Sequence, residues 1–192
     1  SQALGTAIAE NLKANGLKAG DINTTDMMEA MEAALKGTPV MDINAAQMTV
    51  TEKINGLQAS KGKEAEGAGK QYLEQNKTKQ GVITTASGLQ YMVLTPGTGN
   101  KPTLTDKVKV HYHGTLIDGK VFDSSVDRGE PIAFPLNGVI QGWQEGVQLM
   151  QVGAKYRFFI PHELAYGSRP KGQIPPYSTL IFDVELLGIN VE

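Results

Sequence analysis

A chain of 192 residues with 18 basic and 20 acidic side chains, no cysteine and a net charge of −2 has room for one or two domains. The near-neutral balance without a long basic run argues against a nucleic-acid partner, and the lack of cysteine excludes disulfides, thiol catalysis and cysteine-held metals. No apolar run approaches the ~20 residues that cross a bilayer. The chain starts at Ser1 with no leader in view, which leaves open that one was removed.

Residues 1–71 contain no Phe, Tyr or Trp, yet they hold Met27, Met28, Met31, Met41 and Met48, five of the seven methionines. Small and flexible apolar side chains suit helix-on-helix contact, so a helical N-terminal part is expected before a β-rich C-terminal part. Leu4, Ile8 and Leu12 recur at helical spacing, with Gly16 as the stop. A second helix is predicted with Thr24 or Thr25 as its cap, Met28, Met31 and Leu35 on one face, and Gly37 and Pro39 at its end. A third begins after Asp42, with Met48, Ile54 and Leu57 as its early apolar positions.

From Gln58 to Lys70 the apolar stripe almost vanishes into a small, polar, glycine-bearing run. Each glycine costs a helix about 1 kcal/mol relative to alanine, so this run reads as a solvated helical arm or a frayed linker. Apolar contact resumes at Tyr72 and Leu73, and Gly81 marks the end. Helices this small bury little area alone; pairing with a second copy is the favoured remedy, and packing on the chain's own C-terminal domain is the alternative. The expected division is a dimerisation module over 1–41, a long helical arm over 42–81 and a third domain over 82–192.

Past Gly81 the period changes to two. Val108, Val110, Tyr112, Gly114 and Leu116 share one strand face, and Lys107, Lys109, His111, His113 and Thr115 the other. Asp118-Gly119 is a hairpin signal. Ala154, Tyr156, Phe158 and Ile160 alternate, as do Leu180, Phe182, Val184 and Leu186, while Trp143, Val147 and Met150 mark one face of a short helix. The fold class is therefore α+β, an antiparallel sheet wrapped on a short helix after an all-α module. His111 and His113 have no evident third metal ligand and read as solvated strand histidines; no metal or cofactor is expected. Ser124-Ser125 shows no matching base.

The ordered segments Val110 to Ser125, Val139-Ile-Gln-Gly-Trp143, Ala165-Tyr-Gly167, Ile174-Pro-Pro176 and Phe182 resemble the pocket of the FKBP-type peptidyl-prolyl cis-trans isomerases. The resemblance runs from Thr85 to Asn190. With Tyr72 to Tyr91, the whole chain resembles the Mip-like and FkpA-like bacterial subgroup with N-terminal dimerisation helices. It implies Trp143 as pocket floor, Tyr112, Phe122, Val139, Ile140 and Phe182 as walls, and Phe134 behind them. It implies Asp123 as the carboxylate facing the substrate, bonded by Tyr112 and held ionised by Arg128. Tyr166 and the backbone N–H of Ile174 would donate to substrate carbonyls. Ile132 and Gln173 depart from the family pattern at the rim.

That resemblance implies prolyl isomerisation of unfolded or partly folded clients without a covalent intermediate, combined with chaperone activity as a homodimer. A non-catalytic peptide-binding module or holdase would use the same pocket. Macrolides such as tacrolimus or rapamycin are implied as inhibitors. The implied location is the periplasm or outer membrane of a bacterium, with the cytoplasm as the alternative.

Overall fold

A computed structural model describes residues 1–191. The N-terminal part folds as α1 (Gln2–Ala14), α2 (Thr24–Leu35) and the first turns of α3 (Ile43–Asn76). The cap of α2 is Asn23, one residue before the expected threonines. Its Oδ1 accepts from the N–H groups of Thr25 at 3.0 Å and Asp26 at 3.3 Å, which a shorter hydroxyl already inside the helix does not reach. Asp42 caps α3 in the same way, accepting from Asn44 and Ala45.

Two compact units divide the chain between Lys61 and Gly62. In the first, no residue is buried, and Leu4, Met28, Leu35, Ile43 and Met48 are exposed. Its helices thus form without enclosing a core.

In the second unit, β1 (Val82–Thr84), β2 (Gln90–Thr95), β3 (Lys107–Leu116), β4 (Val121–Ser124), β5 (Ile132–Pro135), β6 (Lys155–Ile160) and β7 (Leu180–Ile189) make one antiparallel sheet. The order is β1-β2-β6-β7-β3-β4, with β5 also paired to β3. Asp118-Gly119 turns β3 into β4 as its sequence predicts. A single turn, α4 (Ser125–Arg128), follows β4, and α5 (Gln141–Leu149) packs into the concave face. The strict alternation along β3 and β7 puts Val108, Val110, Tyr112, Leu116, Leu180, Phe182, Val184 and Leu186 into one core with Trp143, Val147 and Met150.

The solvated-arm reading of Gln58–Lys70 does not hold for its second half. Gly62, Gly69 and Asn76 of α3 are buried, and Ala65, Glu66, Tyr72 and Leu73 are half-buried between them. These positions fall on one helical face. Glycine lets the helix axis approach closely: a Cβ on Gly62 would stand 3.0 Å from the Tyr177 ring, and one on Gly69 would collide with Thr179. Tyr72 packs on Phe159, ring centroids 6.1 Å apart, so β6 is covered on both faces at its end. The buried Asn76 Nδ2 donates to Gln90 Oε1 at 3.0 Å, and Gln90 Nε2 donates to the Leu73 carbonyl at 2.9 Å.

Candidate functional site

A cavity of about 1080 Å³ opens where the concave sheet, α5 and the segment 163–174 meet. Tyr112, Phe122, Asp123, Phe134, Val139, Ile140, Trp143, Tyr166, Ile174 and Phe182 all line it. Of the residues expected in the site, only Arg128 lies outside the lining, bonded to Asp123 from behind. Ile132 and Gln173, the two departures from the family pattern, also face the cavity.

The floor is aromatic. Trp143 meets Tyr112 edge-on at 5.4 Å and Phe182 at 5.2 Å, and Phe134 lies 5.6 Å away at a tilt. Phe122 completes the wall, edge-on to Phe182 at 5.3 Å. Edge-to-face contacts of this kind fix ring orientation as well as bury area. Trp143 reaches this position because α5 carries it one turn before Val147, so both point into the core.

A charged cluster interrupts the apolar wall beside this floor. The Tyr112 hydroxyl donates to Asp123 Oδ2, Arg128 Nη1 donates to Oδ1 at 2.5 Å, and Arg128 Nη2 donates to the Tyr112 oxygen at 3.0 Å. Burial pushes the Asp123 carboxyl up, but the hydrogen bonds from Tyr112 and Arg128 and the guanidinium charge outweigh it, leaving its pKa below the usual value. Burial raises the Tyr112 phenol, and its bond to the Asp123 carboxylate raises it further. Tyr166 is also raised, by burial first and then by the Asp123 charge. The cluster is thus a fixed carboxylate with two neutral phenols around it. It is not an acid–base pair.

Ser124 and Ser125, which the sequence shows only as serines without a matching base, hold this cluster in place. Ser125 Oγ accepts from the Tyr112 N–H at 2.8 Å and from its other side donates to the Tyr112 carbonyl at 3.3 Å. Ser124 Oγ caps α4 by accepting from the Asp127 N–H. Both do have histidine neighbours: His111 Nδ1 stands 3.0 Å from Ser125 Oγ and His113 Nδ1 stands 2.9 Å from Ser124 Oγ. The histidines are therefore half-buried and engaged, not solvated. The serines are committed to backbone groups, so β4 and α4 are clamped to β3 and the span from Asp123 to Arg128 is set. A serine four residues before a short helix end was the available signal, but no pattern in the sequence ties it to β3.

The Ile174 N–H is not free for a substrate. It donates to the Lys171 carbonyl at 2.9 Å while the Lys171 N–H donates back to the Ile174 carbonyl at 3.0 Å. This tight turn satisfies the amide internally, so Ile174 contributes its side chain to the cavity and its expected donor role is corrected.

Comparison with known proteins places the chain that carries this geometry in a family. The model of the FKBP-type peptidyl-prolyl cis-trans isomerase domain matches residues 98–187, and that of the domain amino terminal to it matches residues 1–93. The FKBP-type 22 kDa peptidyl-prolyl cis-trans isomerase of Escherichia coli is 44% identical over 192 residues, covering 98% of this chain and 93% of that protein. The chain belongs to the FKBP-type peptidyl-prolyl cis-trans isomerases. The isomerase FkpA of Aeromonas hydrophila is 58% identical over 142 residues, 72% of this chain, and the match spans about half (53%) of that protein. The crystal structure of FkpA from Escherichia coli superposes with a TM-score of 0.80 at 36% identity, covering 98% of this chain and 92% of that one. The fold of this FKBP is that of its relatives: a helical N-terminal region followed by the sheet wrapped on α5.

Proposed function

We propose that this FKBP rotates Xaa-Pro bonds of unfolded or partly folded polypeptides in the aromatic cavity, by environment alone. Rotation is slow because amide resonance must be lost, a barrier of about 18–20 kcal/mol. The planar amide is more charge-separated than its twisted transition state. A water-poor apolar cavity therefore disfavours the former relative to the latter. The prolyl ring sits on Trp143 between Tyr112, Phe122, Val139, Ile140 and Phe182, with Phe134 and Ile174 behind. Asp123 acts electrostatically on the carbonyl before proline, Tyr112 and Arg128 hold that charge in place, and the Tyr166 hydroxyl donates to a flanking carbonyl. No proton transfer is required.

The observation that carries this reading is the Asp123 carboxylate, clamped by Tyr112 and Arg128, in the wall beside the aromatic floor. The test is isomerisation of an Xaa-Pro peptide by the full chain, by Asp123→Ala and by Tyr112→Ala. A parent protein that gives no rate enhancement sinks the reading. The same cavity would take macrolides such as tacrolimus or rapamycin, read out as inhibition in that assay.

The N-terminal helices are the dimerisation element in this reading, with residues 1–41 as the module, 42–81 as the arm and 82–192 as the isomerase domain. Support comes from an N-terminal unit in which nothing is buried although Leu4, Met28, Leu35 and Met48 are apolar. A second copy would cover them. Two cavities on one dimer would hold a client at two points and raise its local concentration, which is how chaperone activity would arise. Light scattering that finds a monomer removes the two-site model. Among the described residues no helix is long and apolar enough to cross a membrane, and the subgroup resemblance favours the bacterial periplasm.

A further inference from the structure

Tyr177 stands out among the loop residues around the cavity. Its φ of 58° is in the left-handed region, where a residue with a Cβ is disfavoured by about 1–2 kcal/mol. Such a conformation persists only when its surroundings hold it. On one side, the Tyr177 ring lies against the backbone of α3 at Gly62, where an added Cβ would stand 3.0 Å from Cδ2 and 3.3 Å from the Pro176 Cβ. On the other, the His162 ring meets it edge-on at 5.2 Å.

His162 is almost enclosed, and neither of its ring nitrogens makes a hydrogen bond. Its Nε2 is 3.2 Å from Glu163 Oε1, close enough for charge but not aligned for a bond. What fixes the imidazole is therefore packing, chiefly on Tyr177.

The backbone around these two rings closes the loop that bears Tyr166. The His162 carbonyl accepts from the N–H groups of Ala165 at 3.0 Å and Gly167 at 2.9 Å, and the Tyr177 N–H donates to the Gly167 carbonyl at 2.7 Å. Tyr166 sits between these bonds and faces the cavity.

We infer that Tyr177 is a positioning residue: pinned between Gly62 and His162, it makes the second half of α3 the abutment that sets Tyr166 and the loop wall of the cavity. This rests on the reading of the cavity as the prolyl site. It goes beyond it by giving α3 a part in the reaction: any displacement of its Gly62 face is passed through one ring to Gly167 and Tyr166.

The test uses the full chain and five proteins, the parent and four variants. Gly62→Ala puts a methyl against the Tyr177 ring, while helix propensity favours alanine by itself. Tyr177→Asn suits the left-handed backbone but removes the ring. Tyr177→Phe keeps the ring. Gly67→Ala lies on the same helix with nothing within 4 Å of the new Cβ.

The expected result is a fall in kcat of about threefold to tenfold for Gly62→Ala and Tyr177→Asn, with KM little changed, since Tyr166 is displaced by only tenths of an ångström. The unfolding midpoint of Gly62→Ala stays within reach of the parent, and Tyr177→Phe and Gly67→Ala keep parental kcat. Parental kcat in Gly62→Ala and Tyr177→Asn overturns the proposal, as does a Tyr177→Phe protein as slow as Tyr177→Asn. Those outcomes leave the isomerase reading standing, whereas an inactive parent strikes down both.

Discussion

The Tyr112 hydroxyl donates to Asp123 while accepting from Arg128, so one phenol sits at the centre of the charged cluster in the cavity wall. Tyr112→Phe removes that hydroxyl and leaves the ring edge-on to Trp143. The loss of a hydrogen bond to a half-exposed carboxylate should cost about 1 kcal/mol of stability. Asp123 then keeps Arg128 and the Ser124 N–H but loses its phenol donor, and kcat/KM should fall by about tenfold. A urea midpoint and a peptide isomerisation assay measure the two effects; no change in either would show the hydroxyl to be idle.

The same cluster predicts a pH profile. Folding lowers the Asp123 pKa, because the bonds from Tyr112 and Arg128 overcome the effect of burial. A carboxyl depressed in the folded state contributes stability above its unfolded pKa of about 4, and that contribution is lost as pH falls through the lower folded value. Tyr112 and Tyr166 shift upward and stay protonated to beyond about pH 10. Activity should therefore be flat between about pH 5 and pH 9. Arg128→Met removes the opposing charge, so the acid limb should move toward neutral pH; an unmoved limb takes Arg128 out of the account.

The β-rich half was legible because its pattern has a short period and large side chains. The alternation at Tyr112 and Phe182 and the Trp143–Val147 spacing each point to one buried face, and the Asp118-Gly119 turn joins two of its strands; that this face holds a pocket came from the family resemblance, not from the spacing. The second half of α3 was not legible for the opposite reason. Its buried face is built on Gly62 and Gly69, which contribute close approach and no apolar side chain, so a hydrophobic period does not register. Phe159 reads as outward-facing from β6 alone, yet it is buried, with Tyr72 packed against its ring. The pairing of Ser125 with Tyr112 and the closed turn at Ile174 are tertiary hydrogen bonds that residue type does not specify.

Trp143 is the sole tryptophan, is 5% exposed and lines the cavity, so its emission reports occupancy directly. A proline peptide that excludes water from the floor should shift that emission to the blue and saturate. Trp143→Leu deletes the contacts to Tyr112, Phe134 and Phe182 and should cost about 2–4 kcal/mol, with a raised KM for peptide. Emission unchanged by a peptide that is nevertheless turned over would place the prolyl ring away from the indole.

Asn76 and Gln90 join the end of α3 to β2 through a buried amide pair. Asn76 is 1% exposed and Gln90 3%. Asn76→Ala leaves Gln90 Oε1 without its donor, at a cost of about 1–3 kcal/mol. Gln90→Leu costs a similar amount, because it strands Asn76 Nδ2 and takes one of two donors from the Leu73 carbonyl, which keeps the Lys77 N–H. Joint replacement by Asn76→Leu and Gln90→Leu removes both polar ends of the shared bond. The double variant should therefore lose less stability than the sum of the singles, by about 0.5–3 kcal/mol in a double-mutant cycle. Costs that simply add would mean the two amides act independently, and the bond between them would then contribute nothing to holding α3 on the sheet.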